Sequence, residues 1–117
     1  MMNTLIIIPA RKGSKGIPGK NIMQLKGKPL ISHTVDFALM SKGEDDTICV
    51  STNDEKIIKL FSKKRNIEVL KRPKKLCQDN SGMSEVVSHA LKFYEEKEIF
   101  FHHILLLQPT SPLRSSK

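Results

Sequence analysis

Residues 5–21 constrain this chain more than any other stretch: Leu-Ile-Ile-Ile-Pro-Ala-Arg-Lys-Gly-Ser-Lys-Gly-Ile-Pro-Gly-Lys-Asn. The first four form an unbroken apolar run of strand length, bounded by Pro9 and then by glycines. Such a run predicts a strand buried on both faces, the environment of a parallel sheet covered by helices. A loop follows in which Gly13, Gly16 and Gly19 alternate with Arg11, Lys12, Lys15 and Lys20. Glycines let backbone N–H groups come close to a ligand, and arginine and lysine add full positive charge beside them. A strand that delivers this loop points to a phosphorylated ligand.

The spacing rules out two common phosphate-binding patterns. The P-loop needs a glycine five residues before its Gly-Lys pair and a hydroxyl residue after it. Here Ser14 stands at the first position and Asn21 at the last. The dinucleotide pattern Gly-x-Gly-x-x-Gly fails as well, because the order is Gly13-x-x-Gly16-x-x-Gly19.

The rest of the chain reads as strands alternating with helices. Ile31, Thr34, Val35, Ala38 and Leu39 lie on one face of a helix that follows Pro29 and stops at Ser41-Lys42-Gly43. Residues 47–51 read as a second strand. Thr52-x-x-Glu55 has the spacing of a capping box for a helix with Ile57, Leu60 and Phe61 on its apolar side. Residues 67–70 predict a short third strand. Met83, Val86, Val87, Ala90, Leu91 and Tyr94 make the cleanest helical stripe, and residues 104–107 a last strand. This alternation implies an α/β fold with a mainly parallel sheet. The polar clusters at residues 11–21, 51–54, 71–84 and 108–114 each follow a strand, so a parallel sheet gathers them along one edge.

Composition sets the partners. The 117 residues suit one small domain or part of a larger one, and the net charge of +8 favours phosphorylated or polyanionic ligands. No acidic residue precedes Asp36. The charge would also suit a small nucleic-acid-binding domain, but Tyr94 and five phenylalanines form no aromatic-basic stacking surface. Cys49 and Cys77 fit no metal spacing, and Cys49 lies inside a strand pattern and is expected in the core. No run approaches membrane-spanning length and no leader pattern opens the chain, so a cytoplasmic protein is expected.

Ile8-Pro9-Ala10-Arg11-x-Gly13-Ser14-Lys15-Gly16, followed by Lys20-Asn21, resembles the opening signature of the acylneuraminate cytidylyltransferases, the CMP-sialic acid synthetases. The likeness continues in order through Gly27-Lys28-Pro29-Leu30-Ile31, Val50-Ser51-Thr52-Asn53-Asp54, Arg72-Pro73-x-x-Leu76-x-x-Asp79, Val86-Val87-x-His89-Ala90-Leu91 and Leu105-Leu106-Leu107-Gln108-Pro109-Thr110-Ser111-Pro112-Leu113-Arg114. Asn53 replaces the aspartate usual in the second of these later blocks.

The resemblance implies a Rossmann-like nucleotidyltransferase, a three-layer α/β sandwich, with residues 1–117 as its N-terminal nucleotide-binding part. It implies transfer of CMP from CTP to a nonulosonic acid, with release of pyrophosphate and with magnesium on the triphosphate. Legionaminic, pseudaminic and eight-carbon 3-deoxy acids remain alternative acceptors. By the same resemblance Arg11, Lys15 and Lys20 face the triphosphate and carry catalysis. Ala10, Gly13, Ser14, Gly16, Asn21, Arg72, Asp79 and Ser81 line the nucleotide, and Gln108, Thr110 and Ser111 approach the sugar acid. Family members continue past the Pro-Leu-Arg segment with further sheet, a dimerisation element and an Asp-x-Asp metal site. This chain holds no Asp-x-Asp, so no metal ligand is expected within it, and a half-site with little or no turnover is. A homodimer is the family's full-length state.

Overall fold

The computed structural model describes residues 3–10, 24–25, 28–73 and 82–108. Six strands and three helices follow in the order β1 (Thr4–Ala10), β2 (Gln24–Leu25), β3 (Lys28–Pro29), α1 (Leu30–Ser41), β4 (Thr47–Thr52), α2 (Glu55–Phe61), β5 (Ile67–Lys71), α3 (Met83–Glu95) and β6 (His103–Leu106). Four strands form one sheet in the order β5-β4-β1-β6, and every pairing in it is parallel. β2 and β3 pair antiparallel with each other, a short unit with no counterpart among the predicted elements.

β1 is central because each of its faces has a helical layer to meet. Ile6, Ile8 and Ala10 pack with Ile31, Val35 and Ala38 of α1 and with Ile57 and Phe61 of α2. Leu5 and Ile7, on the other face, pack with Val86, Ala90 and Tyr94 of α3, together with Cys49 and Leu70. The topology follows from this division. α1 and α2 carry the chain outward from β1 through β4 to β5 over one face. α3 brings it back past β1 to β6 over the other, since a crossover of the same hand must change face when it changes direction. The result is the expected three-layer α/β arrangement.

Pro9 lies within β1 although that strand has neighbours on both sides. The Ile7 carbonyl accepts from Leu107 N–H, so Ile7 turns its polar groups to the β6 side, and so does Pro9 two residues on. The β1–β6 ladder has already ended there, at Ile7↔Leu106. The missing N–H of Pro9 therefore leaves no rung unmade.

Local signals explain the helix starts, with one correction. α2 is capped by Asp54, whose side chain accepts from Lys56 N–H at 2.9 Å, and not by Thr52. At α3 the Glu85 carboxylate reaches back to the Gly82 N–H at 3.1 Å. At the opposite edge of the sheet, Asp46 accepts from Gly43 N–H at 2.7 Å and from Thr4 N–H at 2.9 Å, which holds its carboxyl below the usual range. Cys49 is in the core as expected, and burial pushes its thiol up to about 12.

The two edges of the sheet differ. β6 is apolar on both faces, yet Ile104 is 42% and Leu105 46% exposed, with Ile99 and Phe100 exposed just before them. Among the described residues no strand pairs with its outer edge.

Ile7 tests the centre of this arrangement, being fully buried between β4 and β6 and under α3. Ile7→Ala is expected to cost roughly 2–5 kcal/mol by the usual penalty for a core cavity, read from urea unfolding. A cost below about 1 kcal/mol would mean that this layer is not packed as described.

Candidate active site

The C-terminal ends of three strands are level. Ala10 pairs in register with Thr52, and Thr52 with Lys71. Two strand spacings, about 10 Å, therefore separate the points from which residues 11–23, 53–54 and 72–81 continue in sequence. β6 ends nearby, with Leu106 level with Ile7. Between β1 and β6 the direction of winding reverses, and in open α/β sheets ligands bind in the crevice at such a point. The described strand ends from which the polar segments continue in sequence thus lie along one edge, as the alternation implied.

Buried polar groups bind these ends together. Ser51 and Thr52 are fully buried and Arg72 is only 3% exposed. Arg72 Nε donates to Ser51 Oγ at 3.1 Å, and its Nη2 donates to the Ser51 carbonyl at 2.8 Å. The Arg72 backbone N–H donates to the Thr52 carbonyl at 2.8 Å. On the other side of β4, the Thr52 hydroxyl donates to the Ala10 carbonyl and accepts from Asp54 N–H at 3.0 Å. An ionised guanidinium out of water needs such partners, because an unpaired buried charge costs several kcal/mol. Lys71, by contrast, is exposed and pairs with Glu55 at 3.3 Å, where solvent screening leaves little net gain.

Of the residues assigned from the sequence, Ala10, Arg72 and Gln108 are described. Ala10 closes β1, Arg72 lies just past β5, and Gln108 is exposed just past β6. All three stand on the expected edge. Arg11, Gly13, Ser14, Lys15, Gly16, Lys20, Asn21, Asp79, Ser81, Thr110 and Ser111 lie outside the described residues.

Three further residues belong to the edge. Ser51 and Thr52 were legible as two hydroxyls after the apolar run Ile48-Cys49-Val50, but only the fold shows what they hold. His89 of α3 is the third. Its Nδ1 is out of water and has no hydrogen-bond partner among the described residues. Burial first, and then the nearby Arg72 charge, hold its imidazole below the ordinary value. Its place in the edge depends on α3 lying across the sheet, which no local pattern states.

No group of three or more His, Cys, Asp or Glu among the described residues is arranged to hold a metal. No described helix is long and apolar enough to cross a membrane.

Residues 5–117 match the cytidylyltransferase family. The chain belongs to that family. It is 41% identical over 113 residues to a CMP-N,N'-diacetyllegionaminic acid synthase of Legionella pneumophila, covering 97% of this chain and 48% of that protein. It is 38% identical over 115 residues to an N-acylneuraminate cytidylyltransferase of Streptococcus agalactiae, covering 98% of this chain and 27% of the relative. The chain therefore spans about half or less of the length of these relatives. Among solved structures it shares the fold of a CMP:2-keto-3-deoxy-manno-octonic acid synthetase complexed with CTP, with a TM-score of 0.69, 21% identity, and coverage of 97% of this chain and 44% of that one. The cytidylyltransferase membership and the α/β nucleotidyltransferase fold agree with the order of motifs along the sequence.

Two outcomes test this edge. Arg72→Ala removes the donors that satisfy Ser51 and is expected to cost about 2–3 kcal/mol in urea unfolding, the range for hydrogen bonds to a charged group; a change within about 0.5 kcal/mol, the scale of ordinary surface substitutions, would contradict the buried arrangement. His89 sets a pH dependence. Its folded pKa is below the ordinary 6.5, so the unfolded chain takes up the proton first. Stability is then full above that value and falls as pH drops through it. Urea midpoints measured at several pH values should show this decline, and His89→Gln should flatten it.

Proposed function

We propose that this chain is the nucleotide-binding part of a cytidylyltransferase that transfers CMP from CTP to a nonulosonic acid. The observation that carries the reading is a basic, glycine-containing segment following the C-terminal end of the central strand in a chain of this family. The relatives' names include legionaminic and N-acylneuraminic acid enzymes, and the proposed acceptor is an acid of this nine-carbon class.

The reaction is a single in-line displacement. The acceptor's anomeric hydroxyl attacks the α-phosphorus of CTP and gives up its proton to solvent, the bond from that phosphorus to the β-phosphate oxygen breaks, and pyrophosphate leaves with its electron pair. No covalent enzyme intermediate is required. The chain contributes position and charge, which are the principal means of catalysis in phosphoryl-group chemistry. In this reading Arg11, Lys15 and Lys20 neutralise the triphosphate and the charge that grows on departing pyrophosphate. Backbone amides at Gly13, Ser14 and Gly16 add donors that need no desolvated side chain. Asn21, Arg72, Asp79 and Ser81 form the nucleotide wall, and Gln108, Thr110 and Ser111 meet the acceptor. Magnesium enters with the nucleotide, as part of the substrate. The described residues supply no cluster to hold it, so no step is assigned through it. The proposed compartment is the cytoplasm, where nucleoside triphosphates are available.

Titration calorimetry of the 117-residue chain with CTP and magnesium, against ATP as control, tests the reading. Selective CTP binding is expected, weakened about tenfold to hundredfold by Arg11→Ala or Lys20→Ala, the loss for one charge-assisted contact. Turnover by this chain alone is expected to be little or none. A folded chain that does not bind CTP, or binds ATP equally well, would overturn the nucleotide assignment. Robust CMP-sugar synthesis would overturn the half-site reading.

A further inference from the structure

β6 is unguarded where the opposite edge strand is not. β5 carries Glu68 and Lys71, and charges on an edge strand deter another strand from pairing with it. From Ile99 to Leu107 the chain has no Asp, Glu, Lys, Arg, Pro or Gly. Phe100 is 64% exposed, and Ile104 and Leu105, which point to opposite faces, are each nearly half exposed. The first half of β6 therefore stands out from both helical layers, with an apolar side chain bare on each face.

The backbone of β6 is sorted residue by residue. The His103 N–H donates to the Asn3 carbonyl and the Leu107 N–H to the Ile7 carbonyl. Alternation along the strand turns His103, Leu105 and Leu107 towards β1, and turns the N–H and C=O groups of Ile104 and Leu106 outward. Among the described residues no strand meets these outward groups. They stand one on each side of Leu105. A second β6, running antiparallel about a two-fold axis through Leu105, sets Ile104 against Leu106 of the other copy, and each such pair exchanges both its N–H···O=C bonds. The axis is perpendicular to the sheet, so each face meets its like. Ile104 is level with Leu5 and Leu106 with Ile7, on the α3 face; Leu105 is level with Ile6, on the face of α1 and α2. Every pair across the axis from Ile104 to Leu106 thus joins apolar side chains on one face. A slip of one residue would set Ile104 against Leu105, which belong to opposite faces.

We propose that the outer edge of β6 is a docking surface for a second copy of this chain, paired antiparallel about Leu105 into one continuous sheet. The edge precedes the Pro-Leu-Arg segment, so it is not the dimerisation element that the resemblance places after that segment. Residues 99–107 are fewer than the roughly 20–30 a side of a standard interface, so the dimer is weak and depends on concentration. The uncharged edge brings no like charges together, although each copy carries a net charge of +8 that opposes approach at long range.

Sedimentation of the 117-residue chain from about 10 μM to about 1 mM tests this. The wild-type chain is expected to pass from monomer to dimer across that range. Raising ionic strength from about 0.01 M to about 0.15 M should favour the dimer, since it screens the repulsion between copies. Leu105→Lys and Leu105→Glu each set like charges against each other across the axis and should weaken association about tenfold or more. An equal mixture of the two variants sets opposite charges together and should associate about fivefold or more tightly than either alone. Amide hydrogen exchange in the wild-type chain reads the same pairing without a variant: protection of Ile104 and Leu106 should rise with concentration, while that of Leu105, held by β1, should not. A wild-type chain that stays monomeric leaves the edge to another polypeptide and overturns the proposal. So do assemblies larger than a dimer, weakening by salt, undiminished association of folded single variants, a folded mixture no tighter than its parts, or protection at Ile104 and Leu106 that ignores concentration.

Discussion

The structure depends on burying β1 from both sides. Its side chains alternate between the layer of α1 and α2 and the layer of α3, so the strand can exist only where two helical layers and two neighbouring strands are in place. Each apolar side chain removed from water stabilises by roughly 1.5–3 kcal/mol, and β1 carries several in succession. No shorter unit of the chain can satisfy that strand. The crossover directions, the parallel pairing and the place where the winding reverses all follow from the need to cover it.

Because β1 ends level with β4 and β5, the last residues of these strands meet a problem that burial alone does not solve. Ser51, Thr52 and Arg72 are polar and buried, at the seam where apolar core gives way to the edge. They satisfy one another and the adjoining backbone through short hydrogen bonds. A buried network of this kind is stiff, since each member that lets go leaves another without a partner. Stiffness of this kind fixes the level ends of β1, β4 and β5 relative to one another.

Much of this fold is written plainly in the sequence, and the exceptions have a common cause. The stripe of Val86, Ala90 and Tyr94 and the apolar runs of β1 and β4 are periodic, so they announce their elements and buried faces. β2 and β3 are two residues each, too short to carry a period. The α2 cap was misplaced for a different reason. Thr52 has the right spacing from Glu55, but its hydroxyl is already held by Ala10, a partner forty-two positions away in the chain. Asp54 therefore caps instead. His89 stands in a motif block without a role assigned to it, because its burial and its nearness to Arg72 depend on how α3 packs.

By itself the sequence determined the alternation of strands and helices, the character of the first loop and the family, because these reside in local periodicity and in ordered motifs. The tertiary structure decided which strands are neighbours, which ends are level, and which polar side chains are spent on holding backbone rather than left for a ligand. Those are questions of pairing between distant segments. A residue's chemistry says what bonds it can make, and only the assembled sheet says which of them it does make.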